Sequence, residues 1–241
     1  MKKGLFVIID GLDGIGKGVC LDALKEEASD MGWKIFDVNE YWVKENNIPS
    51  FEEIGDVDLL ITSEPTYQGI GKHIREKLIC KDGMSFSTSV LAQAYSLDRQ
   101  ILYEKLIIPA IEKGINIFQS RSVTTSIVYQ KLTGKEDGVN MDFILNLEGN
   151  KLALENAPDY LIIPMIKNVE EVMNRLENRA KEDNCKFENL EFQLKAKEEY
   201  ESGNFKKIFE GRGTKLEYID VGRTVEDSKS ETKEFFRKNL V

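Results

Sequence analysis

The chain has one histidine, three cysteines and five prolines in 241 residues. The lone histidine, His73, stands in "GIGKHIREKL" among charges that read as solvated. With no second histidine to join, neither a Ser-His-Asp triad nor a multi-histidine zinc site is expected, and His73 reads as a surface residue. Cys20, Cys80 and Cys185 have neither metal-ligand spacing nor an even count, so free packed thiols in a reducing compartment are the expectation. Positive charge is in deficit: 33 Lys and Arg face 42 Asp and Glu, a net −9. That excludes the broad basic field a general nucleic-acid or acidic-membrane binder needs to release counterions, although a local cluster can still hold a small anion. Long apolar runs are missing too. "LFVII" ends at Asp10, too short for a signal-peptide core or a membrane span, and a cytoplasmic protein is expected. No internal repeat or low-complexity tract is evident.

What remains is ample core material, 41% hydrophobic and 31% charged, enough for one domain over residues 1–241. Six runs have strand length and little alternation: 5–9, 34–38, 58–62, 115–119, 160–164 and 216–221. Strands buried on both faces read this way. Helical apolar spacing covers 17–31, 70–79, 87–113 with Pro109 interrupting, 125–131, 169–179 and 224–240. The alternation predicts an α/β fold, a parallel β-sheet flanked by helices on both faces. Residues 39–58 fit less simply, as an excursion or an additional sheet edge, and residues 175–192 form a densely charged connection.

Between the first strand and the first helix, Gly11-Leu12-Asp13-Gly14-Ile15-Gly16-Lys17 satisfies G-x-x-x-x-G-K. Glycines let successive N–H groups turn inward around a phosphate, the helix N-terminus adds partial positive charge, and Lys17 adds a full one. The order G-x-x-G-x-G followed by lysine favours a nucleoside triphosphate over a dinucleotide. Gly11, Gly14, Ile15, Gly16, Lys17, Gly18 and Val19 are the candidate ATP-binding residues. One thing is lacking here as well: the hydroxyl that usually follows the lysine and contacts magnesium is replaced by Gly18 and Val19. No protein metal ligand is assigned, and magnesium is expected to rest mainly on phosphates and water.

Further along come "SEPT" (63–66), "AYSLDR" (94–99), "SRSVTTSIVYQ" (120–130) and "RLENRAKEDNCKFE" (175–188). Tyr95 and Arg99 share a helix face, as do Ser126 and Tyr129. Arg121 follows a strand, at the sheet edge where α/β ligands gather. In this order, after such a phosphate loop, these segments resemble the thymidylate kinase (dTMP kinase) family of P-loop nucleoside-monophosphate kinases, whose members carry "EGLDGxGKST", "REP", "FxxDR", "DRYxxSSxAYQ" and an Arg-rich lid ending in "FE". The resemblance covers nearly the whole chain. It implies a P-loop NTPase fold with a short Arg-rich lid, approximately 175–188, and transfer of the ATP γ-phosphoryl group to dTMP with magnesium.

By that resemblance Tyr95 stacks on thymine, Arg99 hydrogen-bonds the base, Arg121 holds the acceptor phosphate, Ser126 and Tyr129 line base and deoxyribose, and Asp13 lies near the acceptor sugar and phosphate. Glu64 keeps the acid of "REP", with Ser63 in place of its arginine; Ser120 replaces the aspartate of "DRY". The catalytic set is Lys17, Arg121, Arg175 and Arg179, with the lid arginines on the group in flight. The family implies a homodimer. Two other functions stay open from the residues: a deoxynucleoside kinase with Glu64 as base, and a nucleotide-binding regulator without turnover, suggested by the missing hydroxyls and carboxylate.

Overall fold

A computed structural model describes residues 3–80, 84–134, 137–177 and 187–240. All six apolar runs form strands: β1 (Phe6–Ile9), β2 (Ile35–Asp37), β3 (Leu59–Ser63), β4 (Asn116–Ser120), β5 (Tyr160–Met165) and β6 (Lys215–Asp220). The helices are α1 (Lys17–Asp30), α2 (Val38–Glu45), α3 (Phe51–Ile54), α4 (Gly69–His73), α5 (Thr88–Leu102), α6 (Ile108–Glu112), α7 (Val123–Thr125), α8 (Lys131–Thr133), α9 (Met141–Asn146), α10 (Glu148–Glu155), α11 (Val169–Glu177), α12 (Leu190–Glu201), α13 (Gly203–Glu210) and α14 (Val225–Asn239). Single π turns extend α4 (Ile74–Leu78) and join α5 to α6 (Tyr103–Ile107) and α7 to α8 (Ser126–Gln130).

The strands make one parallel sheet in the order β2-β3-β4-β1-β5-β6. Every residue of β1, β3 and all but the last of β5 is buried, which is why these strands read as continuous apolar runs rather than alternating ones. Helices cover both faces, as the pleat shows. Phe6 and Phe118 lie on neighbouring strands in opposite phase, since Phe6 pairs with Ile117 and Val7 with Phe118. Phe6 meets Tyr103 edge to face on one side, whereas Phe118 packs with Trp33 and with Phe236 of α14 on the other. Because β1 has β4 and β5 as neighbours, and the chain proceeds to opposite sides of it, a crevice opens at the carboxyl ends beside β1, the place where α/β sheets bind ligands.

Two expectations are corrected, and helices form where none was expected. Pro109 does not interrupt the long helix. The preceding turn is a π turn, in which Ile108 N–H bonds to the Tyr103 carbonyl, and the widened turn accommodates a proline that brings no donor and crowds the preceding turn. Residues 39–58 are mainly helical: α2 starts on the last residue of β2, with Asp37 accepting from Asn39 N–H and Glu40 N–H, and β2 itself is the additional sheet edge. Residues 141–155 and 190–210 also fold into helices, α9, α10, α12 and α13, where polar spacing hides the pattern.

Candidate active site

The phosphate loop leaves β1 at Asp10, a fully buried carboxylate that accepts from Gly11 N–H at 2.8 Å, from Thr125 Oγ1 at 2.7 Å and from Thr124 Oγ1. Gly14 and Gly16 adopt φ of +73° and +111°, which side chains other than glycine resist. At Gly14 a Cβ would also lie 2.6 Å from Leu176 of α11. The first turn of α1 begins on Gly16 without any side-chain cap, so its amides are available to an anion. Lys17 Nζ is folded into the loop on the carbonyls of Gly11 (3.1 Å) and Leu12 (2.5 Å). Gly18 is exposed with open space around it, and Val19 is half-buried. Among the described residues no group of three His, Cys, Asp or Glu side chains is placed to hold a metal ion.

Beside this loop lies a cavity of about 520 Å3 lined by all seven residues expected on the acceptor side: Asp13, Glu64, Tyr95, Arg99, Arg121, Ser126 and Tyr129. At its closed end Arg99, 1% exposed, is held from three sides. Nε donates to Glu64 Oε2 at 2.7 Å, Nη1 to Asn150 Oδ1, and Nη2 to Ser126 Oγ at 3.2 Å. Gln119 Nε2 donates to the other Glu64 oxygen at 3.0 Å. Burial pushes the Glu64 carboxyl up to about 7, against the pull of Arg99 and the bond from Gln119. Tyr95, one turn before Arg99 on α5, packs on Ile74, Leu78 and Leu91 while facing the cavity. The buried Tyr129 ring meets Phe187 and Phe192 edge to face, 5.6 and 4.9 Å away, and these two rings pack on each other at 5.3 Å.

At the end nearer the phosphate loop Arg121 has φ of +63°, a left-handed conformation rare for a non-glycine residue and frequent at functional sites. Its N–H is tied to the Ile9 carbonyl at 2.9 Å. The guanidinium pairs with Asp13 and lies 3.9 Å from Asp10. Burial alone raises the Asp13 carboxyl, but Arg121 and Lys17 outweigh it and hold the group below its ordinary range.

A second arginine shares this end. Arg75, in the π turn after α4, donates to the Pro65 carbonyl through Nε (2.9 Å) and Nη2 (2.5 Å) and stacks 3.9 Å over the Tyr67 ring. This corrects the view of Arg75 as a solvated charge, while Lys72, Glu76 and Lys77 are exposed as expected. His73 is exposed, but Lys72, Arg75 and Glu76 line the cavity. Arg75 looks like any other surface charge in "KHIREKL"; what singles it out is the Pro65 carbonyl ten residues earlier, a contact without sequence periodicity. Asn150 and Gln119 belong to no local motif for the same reason, and Gln130, at the end of "SIVYQ", donates to Ser126 Oγ at 3.2 Å.

Of the lid arginines, Arg175 sits on the donor side of the phosphate loop, donating to the Val221 carbonyl at 2.9 Å and the Ile15 carbonyl at 3.5 Å. Arg179 lies outside the described residues, as do Lys181, Cys185 and Lys186. Cys20 is buried and Cys80 half-buried, both as free thiols.

A glycine-rich loop ending in lysine, beside a cavity that joins a buried Arg–Glu pair to two arginines, suits a nucleoside triphosphate and a second phosphorylated nucleotide. Comparison with known proteins agrees. The profile of the family described as "Thymidylate kinase" matches residues 50–232. A probable thymidylate kinase of Pyrococcus abyssi is 30% identical over 135 residues, 55% of this chain and 54% of that protein. The thymidylate kinase of Shouchella clausii is 23% identical over 243 residues, spanning 100% of this chain and 98% of its own. The solved structure of thymidylate kinase from Candida albicans superposes with a TM-score of 0.64 at 18% identity, over 99% of this chain and 93% of that one, and so shares the P-loop NTPase fold. The chain belongs to the thymidylate kinase family.

Proposed function

We propose that the protein, acting as one kinase domain over residues 1–241, transfers the γ-phosphoryl group of ATP to dTMP, giving dTDP and ADP. The observation that carries this reading is the meeting of Tyr95, Arg99, Ser126 and Tyr129 with Arg75 and Arg121 in one cavity beside the phosphate loop. In this reading the Tyr95 ring stacks on the base, the remaining N–H groups of Arg99 meet its edge, and the buried Tyr129 crowds the sugar in a way that favours deoxyribose.

The chemistry follows from placement. Arg75 and Arg121 bind the acceptor phosphate, the uncapped amides of α1 and Lys17 bind the donor phosphates, and Arg175 anchors the root of the lid on the donor side. Arg179 completes the catalytic set as the lid's charge for the group in flight. An acceptor phosphate oxygen attacks the γ-phosphorus as the bond to the β,γ-bridging oxygen breaks, and ADP leaves with that electron pair. The attacking oxygen is already anionic, so no general base is needed; catalysis is positional and electrostatic. Magnesium, when bound, neutralises charge on the phosphate oxygens. The residues present fit an ion held by phosphate oxygens and water, because Gly18, Val19 and Ser120 supply no strong ligand.

The buried ion pair at Glu64 speaks against the deoxynucleoside kinase alternative: this carboxylate is spent on Arg99 and Gln119 rather than open to a hydroxyl. No helix among the described residues is long and apolar enough to cross a membrane, and we place the protein in the cytoplasm. We also read it as a homodimer, packed through the outer face of α5, where Val90 and Leu97 are exposed two turns apart. The test of function is ADP release with MgATP and each of dTMP, dCMP and UMP. The account expects dTMP to have the highest kcat/KM; equal or faster turnover of UMP overturns the pocket assignment.

A further inference from the structure

A second cleft, of about 650 Å3, lies between α1, α2 and the carboxyl ends of β3 and β4, and it shares Val43, Glu64, Tyr67, Arg75 and Arg121 with the acceptor cavity. Its outer wall is α2, which is firmly fixed. Val38 and Trp42 are fully buried in the core. Asp37 caps the first turn and pairs with Lys25 of α1 at 2.7 Å. One turn apart on the neighbouring side of the helix, Asn39 and Val43 both line the cleft, and Val43 is 72% exposed, an apolar side chain left in the open at the rim.

Asn39 reaches across to β3, where Ser63 Oγ donates to its Oδ1 at 2.6 Å. Position 63 is where the family pattern carries an arginine, and the short serine leaves space that the amide takes up. Ser63 is in register with Ser120, the residue before Arg121, and neighbouring strands lie only about 4.8 Å apart. Asn39, Ser63, Ser120 and Arg121 thus line one cleft. The bond from Ser63 uses only the oxygen of Asn39; the Nδ2 group brings two donors of its own. Glu40 shares the wall, but Lys25 Nζ lies 3.7 Å from its carboxylate and offsets the charge.

We propose that Asn39 is a further substrate-contacting residue: its Nδ2–H donates to the phosphate of the acceptor nucleotide, a neutral donor from α2 acting where the family pattern has a charged residue on β3. The inference rests on the reading that Arg75 and Arg121 hold that phosphate. A directional amide adds a bond there without bringing a third cation against two arginines.

The test is calorimetric binding of dTMP and of thymidine, which lacks the phosphate, to the wild type, Asn39→Ala, Asn39→Asp and Arg121→Ala. Asn39→Asp keeps the side-chain shape and the acceptor for Ser63, so its effect does not come from loosening α2. The expected results are a roughly three- to tenfold weaker dTMP affinity in Asn39→Ala, the size of one neutral hydrogen bond. A larger loss is expected in Asn39→Asp, where a carboxylate faces the phosphate, with thymidine affinity within about twofold in both. Arg121→Ala should also lose dTMP and spare thymidine. Unchanged dTMP affinity in both Asn39 variants, or equal losses for dTMP and thymidine, overturns the role of Asn39 while Arg121→Ala upholds the site. An Arg121→Ala protein with an unaltered ratio of the two affinities instead overturns the phosphate site itself.

Discussion

The two sides of the cleft are made of different material. On the acceptor side side chains predominate, and they are paired within the protein: Glu64 with Arg99 and Gln119, Arg121 with Asp13, Arg75 with the Pro65 carbonyl. On the donor side the backbone predominates, with an uncapped helix start, glycines at positive φ, and Lys17 as the single cation in the loop. The contrast matches the two tasks. Triphosphates present the same oxygens whatever base they carry, and backbone amides with one lysine suffice to hold them. The acceptor must be chosen among near-isosteric nucleotides, and a site achieves that through buried polar groups that go unpaired when the wrong base enters.

The sharpest way to break this contrast is to remove a member of the acceptor network. Arg99→Ala leaves Glu64 and Asn150 buried without their partner, and loss of one half of a buried ion pair costs about 3–5 kcal/mol. Urea unfolding should show that loss, and in protein that stays folded the KM for dTMP should rise while that for ATP changes little. An unaltered dTMP KM would mean that Arg99 serves the core alone.

Removing single charges from either side comes next. Charge-assisted bonds contribute about 1.5–3 kcal/mol, so Lys17→Ala and Arg121→Ala should each lower kcat/KM roughly ten- to a hundredfold or more. Initial rates at varied ATP and varied dTMP check this; wild-type rates in both would contradict the two-sided assignment.

The pH dependence of stability is a smaller effect with a definite sign. Glu64 has a folded-state value of about 7 against an ordinary 4.5, so the folded protein binds this proton more tightly than the unfolded chain does. Its contribution is full below about pH 4.5 and is lost as pH rises through about 7. Unfolding midpoints at pH 5 and pH 7 should therefore fall less in Glu64→Gln than in the wild type; parallel changes would show that the carboxyl is not shifted.

The smallest effect belongs to the bare donor side. Val19→Thr with Ser120→Asp should lower the magnesium concentration for half-maximal rate a few-fold, leaving ATP affinity where the amides and Lys17 set it. Coincident titration curves would mean that other groups in the chain already supply those ligands.

How much could be read in advance follows the same division. Strands β1, β3, β4 and β5 were legible because their residues are largely buried on both faces, the half-exposed edge strands β2 and β6 by their apolar residues alone, and the phosphate loop because its glycines and lysine are contiguous. Tyr95, Arg99, Arg121, Ser126 and Tyr129 were singled out through short motifs on α5, β4 and the helix after it, and the fold brings them together. Arg75, Asn150 and Gln119 escaped because each is defined by a partner distant in the chain: Pro65, Arg99 and Glu64. Residues 39–58 escaped for a local reason, since α2 begins without a loop after a three-residue strand.

The central claim is that an acceptor phosphate, not a sugar hydroxyl, receives the group that the phosphate loop delivers. It is tested most directly by incubating the wild-type protein with magnesium, γ-labelled ATP and equal amounts of dTMP and thymidine, then separating the products by anion exchange. The account predicts label in dTDP and none in dTMP; label appearing in dTMP, made from thymidine, or no transfer at any magnesium concentration, would contradict it.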